Sequence, residues 1–113
     1  MALEIDVREL KRATIVAVKG RVDSSNSAEL EKTFENLMDE GTFRIVVDCQ
    51  GLEYISSAGL HVLVSTLKAC RRYNRGDLRL CNLSDRISEV LDLAGLVPLF
   101  EIFDDAVGAV GSF

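Results

Sequence analysis

Ser56 and Ser57 are adjacent hydroxyls at the start of the run Ser56-Ser57-Ala58-Gly59-Leu60-His61, in which Ser57 stands four residues before the sole histidine. On a helix that spacing places Ser57 and His61 on one face, which invites a serine nucleophile activated by an imidazole. The constellation is incomplete, with no Gly-x-Ser-x-Gly elbow, no acidic residue assigned to orient the ring and no oxyanion site. His61 therefore reads as an exposed helix residue on a binding surface. A serine at a helix start has a second chemistry, because it faces backbone N–H groups that lack intrahelical partners and the positive end of the helix dipole. That environment favours an exposed negative charge by about 0.3–1 kcal/mol. Phosphorylation there adds nearly two negative charges and a set of acceptor oxygens, so it can repel an acidic partner or obstruct docking without unfolding the domain. Ala58 keeps the rim of such a site low, and Gly59 lets another backbone approach. On residue type alone, a plain N-terminal cap is the commoner use of the serine pair.

The remaining reactive side chains suggest less. Asp48 ends an apolar run, as the phosphoacceptor of a response-regulator receiver does. The acidic pair expected after a receiver's first strand is missing, since Thr14 to Val18 leads into Lys19-Gly20, and no lysine follows Leu99 to Phe103. Asp48 is read as a turn residue and Asp23 as a cap or turn residue before a helix. Cys49, Cys70 and Cys81 are odd in number and far apart, without the close pairs of zinc or redox motifs, so they read as small buried apolar residues in a reducing compartment. No metal, cofactor or catalytic set is expected.

Bulk properties narrow the partners. The 113 residues, 48% of them hydrophobic, suit one domain spanning 1–113. No run approaches the roughly 20 apolar residues of a membrane span, and the opening MALEIDVREL is not a secretory signal, which points to the cytoplasm. A formal charge of -5 repels phosphate backbones and anionic lipid, so neither nucleic acid nor membrane is an expected partner. The Arg71, Arg72, Arg75 cluster reads as a solvated helix end favourable to the dipole.

These residues must be positioned by a series of short elements. Leu3, Ile5 and Val7 alternate with polar residues, the pattern of an edge strand. Thr14 to Val18 is a β-branched run that predicts the inner strand of a hairpin, ended by Gly20. Leu30, Phe34, Leu37 and Met38 predict a helix over 27–40, with Asn26 and Glu29 spaced as a capping pair and Gly41 as the stop. Phe43 to Val47 reads as a central strand. A second helix is expected from about Ala58 to Asn74, with Ser56 or Ser57 at its cap. Leu78 to Leu80 reads as a strand, Ser84 as the start of a third helix closed by Gly95, Leu99 to Phe103 as a short last strand, and Asp104 to Val110 as a terminal helical turn. Phe34, Phe43, Tyr54 and Phe100 are core candidates. The order predicts an α/β domain with a mixed sheet, an N-terminal hairpin followed by parallel βα crossovers.

The stretch Asp48-Cys49-Gln50-Gly51-Leu52-Glu53-Tyr54-Ile55-Ser56-Ser57-Ala58-Gly59-Leu60 resembles the signature loop of the STAS domain of anti-sigma factor antagonists. In that family a strand ending in Asp leads through a Leu-containing turn and an aromatic-aliphatic pair to Asp-Ser-Ser/Thr/Ala-Gly-Leu. Tyr54 and Ile55 take the place of the pair, Ser57 that of the phosphoacceptor, and Ser56 stands where the family often has Asp. Gly20-Arg21-Val22-Asp23 is similar to the family's Gly-x-x-Asp segment, and Leu93-Ala94-Gly95-Leu96 to its Gly-Leu turn.

The resemblance implies a single STAS-like domain whose unphosphorylated form binds an anti-sigma factor that is also a serine kinase. Phosphorylation of Ser57, or alternatively of Ser56, would release it, and a serine phosphatase would reset it. Asp23, Ser56, Ser57, Gly59 and His61 would lie at or near the contact surface. The domain would be a substrate and no enzyme, with no cofactor. Other readings are a STAS regulator of a non-sigma partner-switching pathway or sensory scaffold, a nucleotide-binding STAS-like domain, for which no phosphate-cradling glycine loop is visible, and a small serine hydrolase using Ser57 and His61.

Overall fold

The computed structural model describes residues 2–72 and 76–113. Its first two strands, β1 (Glu4–Glu9) and β2 (Thr14–Val22), pair antiparallel with Ile5 opposite Val18 and Val7 opposite Val16. Val16, Val18 and Val22 alternate along β2 and are almost wholly buried, whereas Lys19 and Arg21 between them are exposed. Then follow α1 (Ser27–Asp39), β3 (Arg44–Asp48), β4 (Leu52–Ile55), α2 (Ser57–Arg72), β5 (Asp77–Cys81), α3 (Asp85–Leu93), β6 (Ile102–Phe103) and α4 (Ala106–Gly111). The strand order is β1-β2-β3-β5-β6, with every pair after the opening hairpin parallel. This is the mixed α/β sheet that the order of sequence patterns implies.

Both faces of the central strands are covered, as parallel strands require. On one face Leu30, Phe34 and Leu37 of α1, Leu63 and Leu67 of α2, and Ile87 and Leu91 of α3 pack onto Val16, Val18, Ile45, Val47, Leu78 and Leu80. Each large apolar side chain so buried stabilises the fold by about 1.5–3 kcal/mol. On the other face the short α4 sets Ala109 against Val46 and Cys81. All three cysteines are free and buried. Burial pushes the Cys70 thiol up to about 11 and that of Cys81 to about 12, and raises that of Cys49 further, so at neutral pH they behave as apolar packing groups.

Several expectations need correction. Gly20 does not end β2; it sits inside the strand at φ +90, donates its N–H to the Gly51 carbonyl at 2.9 Å, and lets the chain run on to Val22. A Cβ on Gly20 would lie 2.3 Å from the carbonyl oxygen of Ala2, so only glycine fits there. β4 has no counterpart in the sequence reading. Asn26 does not cap α1 through its side chain, which instead accepts from the Asp23 N–H at 2.8 Å and donates to the Arg21 carbonyl at 2.9 Å. The last strand shrinks to Ile102–Phe103, because Pro98 starts a 3-10 turn over Val97–Leu99. By contrast, Ser84 caps α3 as expected, accepting from the Ile87 N–H at 3.1 Å, and Gly95 closes it at φ +72.

The basic end of α2 is also more than a solvated surface. Asp77, only 7% exposed, accepts from Arg71 at 2.7 Å and from Arg79 at 3.0 Å and so ties the end of α2 to β5. Asn74 and Arg75, which the sequence reading placed in this helix end, lie outside the described residues. Removing the Asp77 carboxylate takes an acceptor from the exposed Arg71, from Arg79, which keeps the Ser112 hydroxyl at 2.6 Å, and from the buried Leu78 N–H. Asp77→Ala is therefore expected to cost about 2–3 kcal/mol of stability. Urea unfolding checks this: the midpoint falls while the slope stays constant.

Candidate docking and modification site

The site is built where β2 changes neighbours. Along one edge, Thr14 to Ala17 pair with β3 and Gly20 to Val22 pair with β4. Asp48 closes β3 and fixes the turn between the two neighbours. Its carboxylate accepts from the Gln50 N–H at 3.1 Å and from the Asn82 side chain at 2.9 Å. The register of the second seam is Gly20 opposite Leu52, Arg21 opposite Tyr54 and Val22 opposite Ile55, so β4 advances two residues where β2 advances one. Glu53 is the extra residue of this bulge. It allows Leu52 and Ile55, three apart, both to enter the core, while Glu53 and Tyr54 are exposed.

Immediately past the last pair, the two chains leave the sheet side by side. The Ser56 N–H donates to the Val22 carbonyl at 2.8 Å, which places Asp23 beside the serine pair. The two serines then divide their tasks. Ser56 is half-buried and is the N-terminal cap of α2, its hydroxyl accepting from the Gly59 N–H at 3.3 Å. Ser57 is the first helical residue, is exposed, and makes no side-chain hydrogen bond among the described residues. Of the two hydroxyls, Ser57 is the one offered to solvent at the helix mouth.

Asp23 organises the facing loop. Its carboxylate accepts from the Ser25 hydroxyl and from the Ser25 N–H at 2.9 Å, and its carbonyl accepts from Asn26 and Ser27. The Ser25 hydroxyl first, then the Ser25 N–H and the Arg21 charge, hold the Asp23 carboxyl below its ordinary 3.8. Asp23 therefore carries a negative charge throughout the neutral range, in the loop that follows the Val22–Ser56 backbone bond.

Gly59, expected on the contact surface, is buried beneath it. A Cβ there would approach both Ile55 Cγ1 and Val22 Cγ1 to 2.7 Å, so the glycine lets α2 sit down on the β2–β4 seam. Its place is in the support of the surface, where it admits side chains and not a visiting backbone. His61 is exposed on α2, and no hydrogen bond joins it to Ser57. Tyr54, read from sequence as a core candidate, is 39% exposed, and its ring lies under the Arg21 guanidinium at 4.2 Å from centroid to Cζ. The pairing of Arg21 with Tyr54 escaped the sequence reading because the two gain their proximity only from the bulged register.

Two outcomes are expected from this geometry. Gly59→Ala overpacks the seam and should cost about 1–3 kcal/mol, read as a lowered thermal midpoint with shifted amide resonances at the start of α2. For Asp23, the depressed folded-state value means that the contribution of its ionised form is complete above the ordinary carboxylate range and disappears as pH falls through the lower folded-state value. A carboxyl-carbon NMR titration should place its midpoint below 3.8, and Ser25→Ala should move it upward.

Known proteins share this architecture. The sequence matches the STAS domain family over residues 4–109. It is 31% identical to the BtrV protein of Bordetella bronchiseptica, assigned as an anti-sigma factor antagonist, over 98% of this chain and 95% of that one. It is likewise 31% identical to the anti-sigma-B factor antagonist of Staphylococcus aureus, over 90% of this chain and 94% of that one. In structure it superposes on an anti-sigma factor antagonist from Mycobacterium paratuberculosis with a TM-score of 0.89, at 18% identity over 98% of this chain and 93% of that one. Bacillus SpoIIAA in its phosphorylated form gives a TM-score of 0.73 at 14% identity, covering 98% of each chain. With its bulged β2–β4 seam, its capped α2 and these relatives, the chain belongs to the STAS domain family of anti-sigma factor antagonists.

Proposed function

We propose that this protein is an anti-sigma factor antagonist whose docking to an anti-sigma factor is switched by phosphorylation of Ser57. The observation that carries the reading is the division between the two serines. Ser56 is committed to the Gly59 N–H as a cap, whereas Ser57 stands free and exposed at N1 of a 16-residue helix. A phosphoryl group transferred from ATP replaces the Ser57 hydroxyl proton and leaves ADP. The product carries nearly two negative charges where the helix end tolerates them and where the core is untouched. Docking is altered by charge and bulk at the surface.

The relatives support both halves of this reading. Two of them, matched over nearly their full lengths, are named as anti-sigma factor antagonists, and a protein of the same fold is known in a phosphorylated form. The kinase in this scheme is the anti-sigma factor itself, and a serine phosphatase removes the phosphate. Asp23 and His61 flank the acceptor on the contact surface, and Ser56 and Gly59 shape it from below.

Mass spectrometry after incubation with the cognate kinase and ATP tests the assignment. Phosphate is expected on Ser57, retained in Ser56→Ala and absent in Ser57→Ala. Ser56→Ala should instead lower stability by about 1 kcal/mol through loss of the cap. Ser57→Asp is expected to fold normally and to weaken kinase binding. Unmodified Ser57 together with unchanged affinity of Ser57→Asp would refute the switch.

A further inference from the structure

We infer that Arg21 and Tyr54 form a second, charge-reading part of the same docking surface, where the Arg21 guanidinium, set over the Tyr54 ring, donates to a carboxylate of the anti-sigma factor. This rests on the reading of the Ser57 surface as the docking site. The pair is continuous with it: Arg21 lies two residues before Asp23 on β2, and Tyr54 lies two before Ser56 on β4. The charge of Arg21 already reaches the Asp23 carboxylate, which it helps to keep ionised.

Three observations give the pair a role beyond stability. The bulge at Glu53 turns a large aromatic ring outward, 39% exposed, at a position between the buried Leu52 and Ile55. The Arg21 side chain makes no hydrogen bond or salt bridge among the described residues, so its N–H donors remain open while its Cζ lies 4.2 Å from the ring centroid. And in a chain with a formal charge of -5 this is a cation at the rim of the site, next to a fixed anion. An arginine held over a ring by a cation–π contact with its donors free can make two-point contact with a carboxylate, and Arg and Tyr are the residues on which interface energy concentrates. A lysine would place its charge there without the planar fork.

Isothermal titration of the purified full-length chain into its cognate anti-sigma factor tests this. Arg21→Ala and Tyr54→Ala are each expected to weaken binding by about tenfold or more. Tyr54→Phe, which keeps the ring, should stay near the parent, and Arg21→Lys should lose most of what Arg21→Ala loses. Lys11→Ala, in the β1–β2 turn at the other end of β2, should have no effect. The deficit of Arg21→Ala should shrink as salt is raised, because the lost contact is ionic. Since Arg21 is exposed, its alanine variant keeps the test informative even if Tyr54→Ala fails to fold. If Arg21→Ala binds within twofold of the parent while Ser57→Asp binds weakly, this inference is overturned and the Ser57 reading stands. If the parent itself does not bind, both fall.

Discussion

β2 has two partners along one edge, and the exchange between them at Gly20 is the constraint on which the site depends. Its first half pairs with β3, and its last three residues pair with β4. Only glycine allows the exchange, since the backbone there is at φ +90 with the Ala2 carbonyl against the position of a side chain. Everything downstream inherits this register. Val22 comes opposite Ile55, their side chains make the floor on which Gly59 rests, and the chains emerge with Asp23 next to Ser56. A slip of one residue would turn Ile55 out and Tyr54 in, lifting α2 from its seat.

The charge balance at the helix mouth follows from that placement. Two opposed fields meet there: the N-terminal end of α2, favouring an anion by a fraction of a kcal/mol, and the Asp23 carboxylate, kept ionised by Ser25 and disfavouring one. Both are near the surface and screened over about 10 Å at ordinary salt. Their opposition leaves a phosphate on Ser57 nearly neutral for folding stability under the proposed switch. For a partner that must desolvate the same surface, the added dianion is not neutral at all, because burial of unpaired charge costs several kcal/mol. The asymmetry between exposed and desolvated charge is what lets one group control binding and leave the fold alone.

The sequence displayed the frame of this molecule wherever burial follows a regular period. Thr14 to Val18, the α1 stripe and the Ser84 cap were legible because one face is wet and the other dry, or because a cap needs a hydroxyl; the alternation of Ile5 and Val7 marked a strand, but Val7 is 41% exposed and only Ile5 of the two is partly covered. β4 was not legible, since its bulge puts Glu53 and Tyr54 consecutively outside and erases the alternation. Gly20 misled for a related reason, as glycine in a strand signals an end more often than an exchange of neighbours. Asn26 has a side chain suited to a cap, yet tertiary contacts drew it to Asp23 and Arg21. At the site, the reading of Ser57 as acceptor came from its spacing to Gly59 and Leu60, whereas that Ser56 is the cap and Ser57 the exposed hydroxyl needed the geometry, because the two are the same residue type.

The strand with the weakest periodicity, β4, thus supports the proposed docking surface, and the reason is physical. A regular strand puts every second residue outside, a spacing that cannot bring Tyr54 under Arg21 while Leu52 and Ile55 both anchor the core. The irregular seam does this, and it remains rigid because the N–H groups of Gly20 and Ser56 are bonded across it and Gly59 leaves no gap beneath it. A partner meeting such a surface orders little on docking, so its affinity is set by complementarity of charge and shape. Under the proposed switch, a change of charge at Ser57 would register directly in that complementarity, with no conformational relay between the modified atom and the interface.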